Sequence, residues 1–540
     1  MTDPKIKNLI NDLSSGKINR RDFFTKATAF GISATMASTL ISRPSEAAKW
    51  VNPPKKGGHL IQAFGHGSTT DQLDPATFEN GYQQNVGFSL GNHLTEVDNN
   101  GQLIPELSTE YSASPDAKTW TFKLRKGVEF HNGKTMNADD VITSFNHHRG
   151  EDSKSAAKGV ISGIKDIRKD GNDTVVFELS DGNSDFPYIV SDYHLIIFPE
   201  KDGKMDYSEG RGTGGYILES YEPGVKSTFK RNPNYWKEGR AHFDSVENIS
   251  MHDTAARQNA LMNGDVHVID QVAPKTAHLL ERAPTVNLLE TTGTLHYTFP
   301  MRCDTAPYDN YDVRMALKLS VDREEMVKKI LVGHGAVGND HPIGPSVPFY
   351  ADGIPQRTFD PDKAKFHWKK SGAGNITLDL SCSDAAFDGS VDAAQLMKAT
   401  AAKAGININV VREPSDGYWS NIWLNKAWCA CYWGGRPTAD WMFASAYIAE
   451  SKWNDTFWKK GAGPDKFNKL VKEAKGELDT TKRAEMYAEC QRLIHDDGGA
   501  LIPMFANHMH GLSTKIAHDT KVAGNWQNDG NKSSERWWFA

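Results

Sequence analysis

Asp116-Ala117-Lys118-Thr119-Trp120-Thr121-Phe122-Lys123-Leu124-Arg125-Lys126-Gly127-Val128, continued by Phe130-His131-Asn132-Gly133-Lys134 and Ala138-Asp139-Asp140-Val141, is the stretch on which the fold assignment turns. Thr119 to Leu124 alternate with period two, which predicts a half-buried strand, and Asn132-Gly133 predicts a turn. Asn137 offers an N-cap with Asp140 three positions on, opening a helix on which Val141, Phe145 and His148 share a face. Working outward, Thr174 to Leu179 reads as a strand closed by Asp181-Gly182. Asp322-Arg323-Glu324-Glu325 is a capping-box-like start for a helix through Leu331, with Gly333 as its stop. Ala393 to Ala404 predicts a helix ended by Gly405, with a strand from Ile406 to Val411 directly after it. Thr481 to His495 predicts an amphipathic helix with Tyr487, Cys490 and Ile494 on one stripe. Strands and helices alternate without a repeat or long linker, so the expectation is a mixed α/β fold in several lobes.

The 540 residues exceed what one hydrophobic core serves. Hydrophobic residues at 38% and charged residues at 24% are ordinary for a soluble globular chain. A net charge of −6 gives no reason to expect nucleic acid or an anionic membrane as partner. The 14 Trp are the enrichment to follow, since tryptophan serves cores and binding clefts alike. Residues 1–47 read as an export signal: Asn19-Arg20-Arg21-Asp22-Phe23-Phe24-Thr25-Lys26 resembles the twin-arginine motif. Ala27 to Ile41 is mildly apolar and Ser45-Glu46-Ala47 is a cleavage-like site. No cysteine follows, so a lipid anchor is not expected. The five cysteines, Cys303, Cys382, Cys429, Cys431 and Cys490, do not make a disulfide framework. Cys429 and Cys431 share one side of a strand and read as buried small hydrophobes.

Catalytic signatures are missing. There is no G-x-S-x-G elbow, no phosphate loop with its lysine, and no H-E-x-x-H helix. Gly210-Arg211-Gly212-Thr213-Gly214-Gly215 reads as a turn before a strand at Tyr216-Ile217-Leu218-Glu219. His147-His148 falls on a predicted polar helix end. His508 and His510 share a strand face, a thin ligand set for a metal.

Several segments together resemble the extracytoplasmic solute-binding family 5, which serves dipeptide, oligopeptide and nickel ABC transporters. They are Leu73-Asp74-Pro75, Leu103-Ile104-Pro105-Glu106-Leu107-Ser108, the opening block, Arg231-Asn232-Pro233-Asn234-Tyr235-Trp236, Pro307-Tyr308-Asp309-Asn310, Val313-Arg314-Met315-Ala316-Leu317 and Val321-Asp322-Arg323. Gly212-Thr213-Gly214-Gly215-Tyr216 stands where the family has GTGPY, with Gly215 replacing proline. The resemblance implies an α/β, periplasmic-binding-protein-like bilobal fold (type II, cluster C) with an extra lobe in the N-terminal half. Lobe I would comprise residues 48–88, 207–296 and 503–540, lobe II 89–206, and lobe III 297–502. It further implies a non-enzymatic, monomeric periplasmic protein without a cofactor, which closes by hinge motion on a small solute and delivers it to an ABC permease and its ATPase.

Such a site must neutralise buried ligand charge and supply apolar walls. Asp416-Gly417-Tyr418-Trp419 and Cys431-Tyr432-Trp433-Gly434-Gly435-Arg436-Pro437-Thr438-Ala439-Asp440-Trp441 fit both needs. This segment resembles the family's GWxxDxxDP region, where peptide-binding members hold the ligand ammonium with an Asp. Here that position is Arg436, and Asp440 lies near the family's proline. Either the ligand's charged end is an anion, which arginine can fork, or Asp440 has taken over the ammonium. Trp419, Trp433, Trp441 and Tyr418 would pack the ligand body, and Arg302 would be a second cation. The expected solute is peptide-like or carboxylate-bearing. The competing readings are a metal-chelate or haem carrier, for which His66, His131 and His296 are available, and a secreted enzyme exported by the twin-arginine route.

Overall fold

The computed structural model describes residues 53–540 apart from 79 and 415–417. The export-signal reading of residues 1–47, and the Asp416-Gly417 half of the aromatic segment, therefore lie outside the described residues.

The opening block folds as read. Thr119–Leu124 is the second strand of a four-stranded antiparallel sheet, between Ser108–Ala113 and Thr174–Leu179, with Ile164–Lys169 on the far edge. Period two sends Trp120, Phe122 and Leu124 into the core. Helix Ala138–His147 covers that face. Its Asn137 side chain accepts from the amides of Asp139 and Asp140, while Asp140 accepts from the Asn137 amide, a full capping box. Phe122, Phe145, Phe177 and Phe186 close the core edge to face, 4.9 to 6.1 Å apart. The polar-end reading of His147-His148 needs correction. His148 is fully buried, its Nδ1 against Ser155 Oγ at 2.7 Å, because the apolar face of the helix runs on through its cap.

A nine-stranded mixed sheet forms the centre of the molecule. His59–Phe64 runs parallel to Ser245–Ser250 and Val268–Ile269. The meander of Tyr216–Glu222 and Lys226–Arg231 extends one side. On the other side lie Met504–Ser513, Val286–Thr298 and the short strand Cys431–Trp433, with Gly335–Val337 also pairing Met504–Ser513. Two of these strands run from the central core into the C-terminal core. Their register holds from Val286 opposite Ser513 to Thr292 opposite Asn507, then resumes at His296 opposite Phe505. Gly293, Thr294 and Leu295 thus face Ala506 alone, an irregularity that bends the strand pair where it changes bodies.

The C-terminal body packs a parallel pair, Thr377–Cys382 and Asn407–Arg412, among the helices Tyr311–Leu319, Pro361–Ser371 and Ser390–Ala401. A second layer is built by Ala439–Ala446, Ala462–Gly476 and Thr480–Asp496, with Tyr487, Cys490 and Ile494 fully buried. Cys429 and Cys431 are buried as well, and burial raises both thiols.

A buried charge network fastens the four-stranded insert to the central sheet. Glu96 and Glu106 of the insert meet Lys237, Lys532 and Arg536, with Glu96–Arg536 at 2.6 Å and Glu106–Lys237 at 2.5 Å. The cations come from the middle of the chain and from its C-terminal segment. Asn528, Asp529 and Asn531, all at positive φ, wind the C-terminal segment into position, and Asp529 accepts from Arg536 at 3.1 Å.

Candidate functional site

The three bodies line an open-sided cavity of about 1790 Å³. One wall is built where Cys431–Trp433 adds to the edge of Val286–Thr298, with His296 opposite Trp433 and Tyr297 opposite Tyr432. Tyr432 points out of the sheet and is 44% exposed, whereas Trp433 is buried behind it. The Trp433 and Trp423 indoles both donate to Asp455 Oδ2, at 3.1 and 3.2 Å. Burial raises the Asp455 carboxyl to about 6. Trp419 is 38% exposed and stands edge-on to Tyr432 and Trp423, 5.5 and 5.7 Å away. An aromatic wall open to the cavity results.

Gly434-Gly435 then turns the chain against Thr294. A methyl group built on Gly435 would lie 1.3 Å from Thr294 Oγ1, so only glycine permits this approach. The turn delivers Arg436 to the cavity wall. Its hydrogen bonds go to neutral oxygens alone: Ser445 Oγ at 3.3 Å and the carbonyls of Gly435 and Gly434 at 3.2 and 3.4 Å. The guanidinium lies 5.9 Å from the Trp433 ring centre. Burial lowers its pKa, which Tyr193 and Asp192 of the insert partly oppose from across the cleft. Among the described residues, no carboxylate forms an ion pair with Arg436. Asp192 is already taken by His194, 2.5 Å away.

Thr438 caps helix Ala439–Ala446 by accepting from the Trp441 amide at 3.2 Å, which fixes Asp440 and Trp441 in the first turn. Trp441 is half-buried against the cavity. Asp440 is 4% exposed. One of its oxygens is turned to the Tyr487 hydroxyl, and Oδ1 has no partner. Two further expectations are corrected. Tyr418 is a core residue, its hydroxyl donating to the Ala430 carbonyl at 2.8 Å. Arg302 is held away from the cavity by Asp304 at 2.9 Å and stacks on Phe457 at 3.8 Å.

The family "Bacterial extracellular solute-binding proteins, family 5 Middle" matches residues 102–474, more than half of the chain. The protein belongs to this family. The solute-binding protein is 26% identical over 512 residues to the dipeptide-binding protein of Escherichia coli (strain K12), covering 87% of this chain and 91% of that one. Its fold is that of DppA from Helicobacter pylori in complex with the peptide STSA. The TM-score is 0.73 at 20% identity, over 89% of this chain and 98% of the other. AgaA from A. tumefaciens R10, in complex with agropinic acid, aligns with TM-score 0.72 at 22% identity, covering 89% and 99%. The α/β periplasmic-binding-protein fold with its extra N-terminal body is thereby established, and members of this family bind solutes for ABC transporters.

Residues that the sequence reading missed complete the solute-binding protein's cavity. Asp192 and Tyr193 come from the insert, and Trp526 from the C-terminal segment, edge-on to Tyr193 at 5.8 Å. His508, which the sequence reading weighed only as a thin metal ligand, lines the wall with Nε2 unpartnered, and burial lowers it to about 4, so its imidazole is neutral. Asp192, Tyr193 and Trp526 carry no local signature, since each acquires its role by facing another body. Among the described residues, no three His, Cys, Asp or Glu side chains come close enough to hold a metal ion. No described helix is long and apolar enough to cross a membrane.

Proposed function

We propose that this protein captures a peptide-like or other carboxylate-bearing solute, with Arg436 clamping the anionic end and Trp419, Tyr432, Trp433 and Trp441 packing its body. The observation that carries this reading is a half-buried guanidinium on the cavity wall whose hydrogen bonds, among the described residues, go to neutral oxygens. A partly desolvated cation without a counter-ion gains by pairing, and a ligand carboxylate supplies two oxygens in the geometry its fork requires. The cavity of about 1790 Å³ exceeds the roughly 300–1,000 Å³ of common small-molecule pockets, which favours a solute larger than a single amino acid. A fold neighbour that holds agropinic acid adds weight to an acidic ligand.

The bodies near residues 48–88, 207–296 and 503–540, near 89–206, and near 297–502 act as lobes I, II and III. Lobes I and II move together, and lobe III swings about the register break at Gly293–Leu295. Ligand touching both sides of the cleft shifts the population toward closure, and the closed monomer docks on an ABC permease with its ATPase. The twin-arginine segment delivers the chain to the periplasm. No reaction is performed on the solute.

The test is a thermal-shift screen of short peptides and amino-acid derivatives, each offered as free acid and as amide, followed by calorimetry. Free acids should bind and amides should not. Arg436→Ala should weaken binding more than tenfold, because a desolvated charge partner is worth roughly 2–5 kcal/mol. Equal binding of acids and amides, or an Arg436→Ala variant of unchanged affinity, would overturn the anion clamp.

A further inference from the structure

Where the insert meets the C-terminal body, the seam on the cavity wall carries a set of buried charges. Asp185, just ahead of helix Phe186–Ile189, pairs with Arg483 of helix Thr480–Asp496, Oδ1 to Nη2 at 2.7 Å. Both side chains are buried. Beside them the Ser184 amide donates to the Lys475 carbonyl and the Ser184 hydroxyl to the Glu477 carbonyl, each at 2.7 Å. Arg483 is braced within its own body, donating to the Ala474 carbonyl at 3.1 Å and the Tyr487 hydroxyl at 3.4 Å, with Phe349 5.0 Å away.

A second carboxylate completes the seam. Asp440 enters from helix Ala439–Ala446 and shares Tyr487 with Arg483, so the sequence Asp185, Arg483, Tyr487, Asp440 spans the junction. Asp185 Oδ2 and Asp440 Oδ1 are both buried without a hydrogen-bond partner. Two orphaned carboxylate oxygens at one cavity wall are satisfied most simply by a proton, as when like charges share a site.

We infer that Asp185–Arg483 latches the cleft shut, and that closing draws one proton from solvent into the seam at Asp440, so the closed state gains population as pH falls. The groups facing Asp440 are Asp185 from the insert, Lys475 from helix Ala462–Gly476, and Arg483, Tyr487 and Cys490 from helix Thr480–Asp496. Burial first, then the Asp185 charge, raises the Asp440 carboxyl to about 7, against Lys475 and Arg483. Opening removes Asp185 and admits water, returning Asp440 toward its ordinary value of 3.8. The closed-state value is the higher one, so closure strengthens as pH falls through about 7 and gains roughly tenfold between pH 8 and pH 6.

The latch does not depend on the anionic-ligand reading, and its test uses the ligand-free protein. Small-angle scattering of the full chain at pH 8 and pH 6 should show the compact form rising about tenfold relative to the open form. Asp440→Asn, which keeps shape without charge, should be compact at both pH values. Asp185→Asn should favour the open form, and Arg483→Lys should do so less. A wild-type protein of pH-independent dimensions, or an Asp440→Asn variant that keeps the pH response, overturns the proposal. Circular dichroism of each variant separates opening from unfolding.

Discussion

Arg436 and Gly435 act as a pair. The glycine lets the backbone press against Thr294, and that approach aims the next side chain into the cavity. Gly435→Ala places a methyl group where Thr294 Oγ1 already sits. The strand must shift, which should lower stability by about 1–3 kcal/mol and displace the guanidinium. Thermal denaturation would show the first effect and titration with an acid identified by the screen the second. Unchanged values for both would mean that the contact relaxes freely. Tyr418 teaches the converse. It is as aromatic as its neighbour Trp419, yet its hydroxyl is spent on Ala430 inside the core while Trp419 faces the cavity. Residue type predicted a wall of aromatics here, but which rings would form it was not readable from type.

Elements were legible wherever their signal is local. The capping box at Asn137, the alternation of Thr119–Leu124, and the stripe of Tyr487, Cys490 and Ile494 appear where they were read, and Gly405 ends its helix at φ 77°, while Asp322 caps its helix one way only, accepting from the Glu325 amide. Helix Thr480–Asp496 starts one residue earlier than expected because Asp479 caps it. His148 was misjudged because Ser155, seven positions on in a separate turn, supplies the partner that makes its burial tolerable. Helix Ala439–Ala446 depends on its cap more than most, being eight residues long. Thr438→Ala removes the bond to the Trp441 amide and should cost about 1 kcal/mol. Chemical denaturation measures the loss, and Thr438→Ser should restore most of it.

Across the whole molecule, the network of Glu96, Glu106, Lys237, Lys532 and Arg536 ties the four-stranded insert to the central sheet. Lys237→Met leaves the Glu96 and Glu106 carboxylates buried with less compensation, a loss of about 3–5 kcal/mol. Burial alone would raise Glu106, but Lys237 and Lys532 hold it down at about 2, against an ordinary value of 4.5. A carboxyl lowered by folding contributes stability in full above its unfolded value. That contribution is lost as pH falls from about 4.5 through about 2. Urea unfolding at pH 7, 4 and 3 should therefore show a falling midpoint in the wild type, and a shallower fall in Lys237→Met.

The chain alone determined its strands, its helix caps and its family resemblance, because each rests on neighbours a few positions apart. Only the tertiary structure decided that Arg302 is already paired and that Tyr418 is core. It alone showed that Asp440 belongs to a seam, as Ser184 and Glu477 meet there from positions 293 residues apart. The reason is physical: burial and charge pairing depend on what faces a side chain across a gap between bodies, and sequence spacing carries no record of that distance.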